Sequence, residues 1–394
     1  MLAVMAAPAP DLTHDRLPAL DGLRGFAALF VVLLHMTMQV QSSSLPALAI
    51  KRVFSLGWTG VDLFFVLSGF LITGLLVDAK GSTNYFRVFY ARRMLRILPL
   101  YYVALIVLFG MPMLVNLPQN LVVAWHDQLW FWFYLQNFHW LGDNFAGWTG
   151  HLWSLAIEEQ FYLVWPLIIF LASRKQALWV CLGCLLLAVG YRTYALNTVP
   201  RLDTYYFTQA RLDGLAIGSA IALLIAEPGW MSRLRKMIPM IAPVAALAFG
   251  IITFNALGLR HRFAPVIYTS IDLVYASVLV VALSDTPSNV ARILRSRFLR
   301  FYGRYSYALY VIHVPAMSVM SHFLIRPDKL SLGGNGLIGE LLYIAIVLPV
   351  VTLLAWLSWH VLEKHFLKLK RHFVYDRATR KEEASLLATP LVAK

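Results

Sequence analysis

The sequence predicts an all-α fold, a polytopic transmembrane helical bundle of about ten helices with both termini cytosolic. Composition is the first reason. Of 394 residues, 59% are hydrophobic and 14% charged, and the mean hydropathy is +0.66. That is too little polar surface to coat a water-soluble globule. The second reason is that the apolar residues come in unbroken runs of roughly twenty, the length at which a helix crosses a bilayer. A barrel would instead alternate in strands of about ten. The third is the distribution of Lys and Arg along the chain.

In chain order the spans fall at about 17–40, 57–78, 97–115, 151–172, 177–195, 207–226, 237–257, 265–284, 305–325 and 336–362. An even number of spans returns both ends to one side, and the basic residues say which. With the N-terminus inside, 24 of the 34 Lys and Arg residues fall on inner segments. Seven fall outside (Lys51, Arg52, Arg201, Arg260, Arg262, Arg326 and Lys329), and Arg24, Arg192 and Arg211 lie within spans. The net charge of +14 therefore reads as basic loops against an anionic cytosolic leaflet, with a lipid bilayer and no nucleic acid as partner. The domain plan is a short cytosolic segment 1–16, a transmembrane domain 17–362 and a basic cytosolic tail 363–394.

Residues 119–150 resist that plan. They contain QNLVVAWHDQLWFWFYLQNFHW, whose aromatic density favours the membrane–water boundary, and an interfacial or re-entrant outer helix is expected. The start MLAVMAAPAPDLTHDR has no basic n-region, so no cleaved signal peptide is expected. Cys181 and Cys184 sit inside an apolar run with no second pair to complete a redox or metal site, and they read as small residues of a membrane helix.

Polar residues inside spans are costly and are functional candidates. Arg24 and His35 are eleven residues apart in the first span, close to three full turns, so they share a face about 16 Å apart along the axis. Arg24 lies near the cytosolic end and His35 in the outer half. Asp62 of GWTGVDLFFVLSGF and Glu158 and Glu159 of HLWSLAIEEQFYLVWP enter from outside. With His35 they lie roughly 7–12 Å inside the outer boundary, and Arg211 and Asp213 of TQARLDGLAIG reach a similar level. A neutral imidazole near a carboxylate takes a proton from a hydroxyl while the carboxylate orients the ring, chemistry that suits acyl transfer to an alcohol.

Glu158 and Glu159 point roughly 100° apart, so one is expected at the site and the other paired with Arg192 or Arg211. Arg93 and Arg96 of FYARRMLRILPLYY, at i and i+3, are placed to grip phosphates together. Ser68 lacks a nucleophile elbow, and His313 reads as a helix-packing polar residue. No HExxH or similar pair is present, and no metal site is expected. The competing function class is a transporter of small anions or sugars, which would more often show broken helices or matched halves.

The stretches LDGLRGFAALFVVLLH, GVDLFFVLSGFLIT, FYARRMLRILPLYY, HLWSLAIEEQFYLVWP and GRYSYALYVIHVP resemble, in this order, the acyltransferase family 3 membrane proteins. The resemblance spans residues 18 to about 315. It implies ten transmembrane helices in the inner membrane of a bacterium, and O-acyl transfer, usually acetyl, from cytosolic acyl-CoA to a carbohydrate or lipid-linked glycan acceptor. No permanently bound cofactor is implied. The family's Arg–x10–His element falls on Arg24 and His35, with His35 as the catalytic residue. Its R-x-x-R element falls on Arg93 and Arg96, which with Arg24 would bind the donor. Its glutamate pair falls on Glu158 and Glu159. Glu158 or Asp62 is expected to orient His35, with Glu159, Arg211 and Asp213 in support. Some family members continue into a hydrolase-like domain; a stand-alone membrane domain is expected here.

Overall fold

A computed structural model of the chain describes residues 18–39, 45–115, 122–138, 147–198, 204–254, 264–284, 288–325 and 336–376. The expected N-terminal segment 1–16, part of the 119–150 segment and the tail beyond residue 376 lie outside the described residues, as do the outer basic residues Arg201, Arg260, Arg262, Arg326 and Lys329. Among the described residues the regular structure is helical throughout. The principal helices are α1 (Pro18–Gln39), α2 (Leu45–Phe54), α3 (Thr59–Ala79), α4 (Tyr85–Leu114), α5 (Trp125–Trp132), α6 (Trp153–Leu171), α7 (Arg174–Thr198) and α8 (Leu212–Ile225). They are followed by α9 (Trp230–Phe254), α10 (Ile267–Leu283), α11 (Asn289–Leu294), α12 (Arg297–Phe323), α13 (Gly336–Ser358) and α14 (Lys364–Lys368).

Among the described residues eight helical stretches are long and apolar enough to cross a membrane, beginning with Pro18–Gln39 and ending with Leu337–His372. Two of the expected spans fall outside that set for different reasons. The sixth corresponds to α8, which is apolar but only 14 residues long. The ninth corresponds to α12, which is 27 residues long but whose charge-free part, Tyr305–Phe323, is interrupted by three tyrosines, three serines and two histidines. In the aromatic segment α5 is a short helix of eight residues. It is held beside α4, where the hydroxyls of Tyr101 and Tyr102 donate to the carbonyls of Phe131 (2.9 Å) and Trp132 (3.2 Å). Cys181 and Cys184 are free thiols within α7.

Glycine decides which helices meet most closely. In a membrane the hydrophobic effect does not drive helices together, and small residues let backbones approach. A Cβ on Gly25 of α1 would stand 1.9 Å from the Leu299 carbonyl oxygen and 2.8 Å from the Gly303 nitrogen. One on Gly303 of α12 would stand 1.8 Å from the Asp21 carbonyl oxygen. α3 and α8 meet the same way, with the Gly69 position 2.0 Å from the Leu215 carbonyl oxygen. The obstructing atoms are backbone, so whole helices would have to shift. Gly303→Val is therefore expected to destabilise the fold by ~1–3 kcal/mol or more. Gly190→Ala, where nothing lies within 4 Å, is expected to stabilise α7 by up to ~1 kcal/mol. Thermal unfolding of the two purified variants checks the contrast; equal midpoints would remove the close-packing role of Gly303.

Candidate active site

The glycine contact brings α1 beside α12, and with α3, α4 and α6 they line a cavity. Its lining includes Arg24 from α1, Ser68 from α3, Arg93 and Arg96 from α4, Glu158, Glu159 and Tyr162 from α6, and Tyr307 and Tyr310 from α12. The i, i+3 spacing on α4 turns both of its arginines inward, and Arg24 faces them from the opposite wall. The Ser68 hydroxyl donates to Glu158 Oε1 at 2.6 Å. The Arg93 guanidinium rests 5.3 Å over the Tyr162 ring. The Tyr307 hydroxyl donates to the Ile97 carbonyl at 2.7 Å and ties α12 to α4. Among the described residues none of Arg24, Arg93 and Arg96 has an ion-pair partner within 4 Å. Three guanidiniums facing one enclosed space without such partners leave planar, multi-donor cationic groups ready for an anion.

At its other limit the cavity reaches Ser154 and Tyr310. Their hydroxyls are 2.6 Å apart, and that of Tyr310 also donates to the His151 carbonyl at 2.9 Å. Behind this pair stand three histidines. The His35 ring centroid is 5.1 Å from that of His313, and His313 is 5.0 Å from His151. The Tyr310 ring lies 5.7 Å from both His151 and His313. His151 and His313 are buried, whereas His35 is half-buried. His35 Nδ1 lies 2.9 Å from the Val31 carbonyl oxygen one turn back on α1. Among the described residues no three His, Cys, Asp or Glu side chains are arranged to hold a metal ion.

The structure redistributes the acids expected around His35. Glu158 is bonded to Ser68 in the arginine cavity, and Asp62 accepts from Arg211 Nη2 at 2.6 Å. Neither carboxylate contacts His35, because α12 occupies the flank of α1 on which the imidazole lies. Both glutamates line the cavity, although one alone was expected there; the space is wide enough to admit side chains 100° apart on α6. The arginines expected to pair with a glutamate pair with aspartates instead. Arg192 Nη2 donates to Asp213 Oδ2 at 2.8 Å, and Arg211 holds Asp62, with all four side chains 1% exposed.

Depth along the membrane placed Asp62, Arg211 and Asp213 in one stratum with His35, but depth says nothing of the direction around the bundle. Tyr310 and Ser154 escaped the reading because a hydroxyl in a span is cheap and common. His151 was missed as well, although its place at the head of HLWSLAIEE, a polar residue at the mouth of a span, is a signal that could have found it.

Comparison with known proteins adds the family. Residues 17–360 match the model described as an acyltransferase domain. The chain belongs to that acyltransferase family. A peptidoglycan O-acetyltransferase of Listeria monocytogenes is 30% identical over 333 residues, 78% of this chain and 50% of that protein. An O-acetyltransferase of Staphylococcus aureus is 28% identical over 332 residues, 79% of this chain and 52% of that protein. A Bacillus subtilis protein, provisionally named a peptidoglycan O-acetyltransferase, is 30% identical over 380 residues, 89% of this chain and 55% of its own length. The chain thus spans about half the length of the curated relatives it matches. No solved structure matches it. Family and apolar helices together make this acyltransferase-family chain a multi-pass bacterial membrane protein.

Proposed function

We propose that this chain is a membrane O-acyltransferase that takes an acyl group, acetyl, from cytosolic acyl-CoA and passes it to a hydroxyl of an extracytoplasmic carbohydrate. The names of the relatives point to peptidoglycan as that acceptor. One observation carries the reading: a cavity lined by three guanidiniums without ion-pair partners among the described residues ends against a tyrosine that touches a histidine cluster. Acyl-CoA is long, polyanionic at one end and reactive at the other, and such a cavity offers cations for the first end and a base near the second. Arg24, Arg93 and Arg96 grip the phosphates, with Glu158 and Glu159 limiting the positive charge between them. The acyl thioester lies towards Tyr310 and Ser154.

His35 acts as general base. Its free ring nitrogen takes the proton of the acceptor hydroxyl as the oxygen attacks the thioester carbonyl carbon. The C–O bond forms, the C–S bond breaks, and the departing thiolate takes the proton back from the imidazolium. No acyl-enzyme is required, and the ring returns to its starting state. Asp62, Arg211 and Asp213 support the site from a distance by holding α3, α7 and α8 together.

Membrane vesicles containing the protein should consume labelled acetyl-CoA and deposit the label on envelope carbohydrate. Arg93→Ala and Arg96→Ala should each raise the acetyl-CoA KM by about 10–100-fold, the worth of a hydrogen bond to a charged group. The rate at saturating donor should change less. An acetyl-CoA KM unaltered in both variants would remove the arginines from the donor site.

A further inference from the structure

We propose that His313 is a positioning residue that fixes the tautomer and ring orientation of His35, leaving Nε2 of His35 as its basic nitrogen. The inference rests on the reading of His35 as general base and names the group that the expected carboxylate does not supply.

The hydrogen bonds determine the tautomers in sequence. A carbonyl oxygen only accepts, so His313 Nδ1, 2.7 Å from the Tyr310 carbonyl oxygen and 3.1 Å from that of Leu309, carries the proton of that ring. The Nε2 of neutral His313 is then a lone pair. It faces His35 Nδ1 at 3.4 Å. His35 Nδ1 must itself carry a proton, because it lies 2.9 Å from the Val31 carbonyl oxygen. The Nδ1–H of His35 is shared between that carbonyl and His313, and a neutral ring has only one N–H. Nε2 of His35 is therefore the acceptor, and it has no hydrogen-bond partner among the described residues. As that nitrogen takes a proton, the positive charge spreads to Nδ1–H, where two acceptors already wait. The orienting role usually given to a carboxylate falls here to a carbonyl and a second imidazole.

The fold builds this pairing from a register. Gly25 touches Gly303 where α1 meets α12. His35 and His313 each lie ten residues further along, about 15 Å from that contact. Parallel helices in contact at the glycines therefore deliver the two rings to one level. The remaining neighbours of His313 are neutral in character. Tyr310 is 5.7 Å away, and His151, 5.0 Å away, has its Nε2 committed to the Val311 carbonyl at 3.1 Å.

The test compares His313→Asn, His313→Gln and His35→Ala in the full chain in membrane vesicles, with acetyl-CoA as donor. Asparagine reaches the Nδ1 position and loses the acceptor at Nε2; glutamine places an amide oxygen near Nε2. His313→Asn should lower kcat at least tenfold with the acetyl-CoA KM within about twofold, while His313→Gln keeps most of the activity. Wild-type kcat in His313→Asn, alongside an inactive His35→Ala, would overturn the positioning role and leave the base intact. Equal loss in both His313 variants, matched by loss of folded protein, would reduce His313 to packing. Wild-type transfer by His35→Ala would overturn the base and the inference with it.

Discussion

His35→Ala is expected to lower acetyl transfer by ~10²–10⁴-fold at saturating donor, the span over which a positioned general base contributes. The acetyl-CoA KM should stay close to wild type. The reason is spatial: Arg24 sits near the start of α1, lining one cavity with Arg93 and Arg96 of α4, and the imidazole lies eleven residues on, about 16 Å along the axis, so donor binding and proton transfer are carried by separate groups. The fold should also survive. His35 is half-buried and its helix is held to α12 by the glycine contact below it rather than by the ring. A uniform rise in KM with unchanged kcat would move His35 from the chemistry to the binding of substrate. Full activity in a folded variant would remove the general base from the scheme.

Much of this arrangement was legible before the fold was seen, and the limit of legibility is physical. Helical period alone sets Arg24 and His35 on one face of one helix, and Arg93 and Arg96 on one face of another, because both relations are local. Apolar run length located α8 and α12 along with the longer helices, although α8 has only 14 residues and α12 begins eight residues before its apolar run. Which residue each polar group meets is another matter. His35 and His313 are 278 positions apart, and Ser68 and Glu158 are 90 apart. Such pairs depend on the rotation of each helix about its axis and on neighbour order in the bundle. Depth in the bilayer is one coordinate of three. It therefore gathered His35, Asp62 and Glu158 into one layer, which the bundle divides between the histidine cluster, the aspartate–arginine network and the donor cavity.

Asp62 shows what that division means for a charged residue in a membrane. Its carboxylate is 1% exposed and bound to Arg211, whose guanidinium also lies 4.0 Å from the Tyr268 ring centroid and 5.0 Å from that of Tyr205. Asp62→Ala leaves that cation buried without its acid, a change expected to cost ~3–5 kcal/mol. Against a total stability of about 5–15 kcal/mol, much of the protein should be lost from the membrane. Removing both charges is different in kind. Replacing a buried pair by apolar residues of similar size is often neutral or stabilising, so Asp62→Leu/Arg211→Met should recover most of the folded protein.

The double variant separates two roles that the single variant confounds. If Asp62 only braces α3 against the start of α8, transfer per mole of folded double variant should approach wild type. If it acts on His35, that protein should be folded and slow. Thermal unfolding together with transfer normalised to folded protein distinguishes these outcomes, and the contact of Asp62 with Arg211 rather than with His35 favours the first.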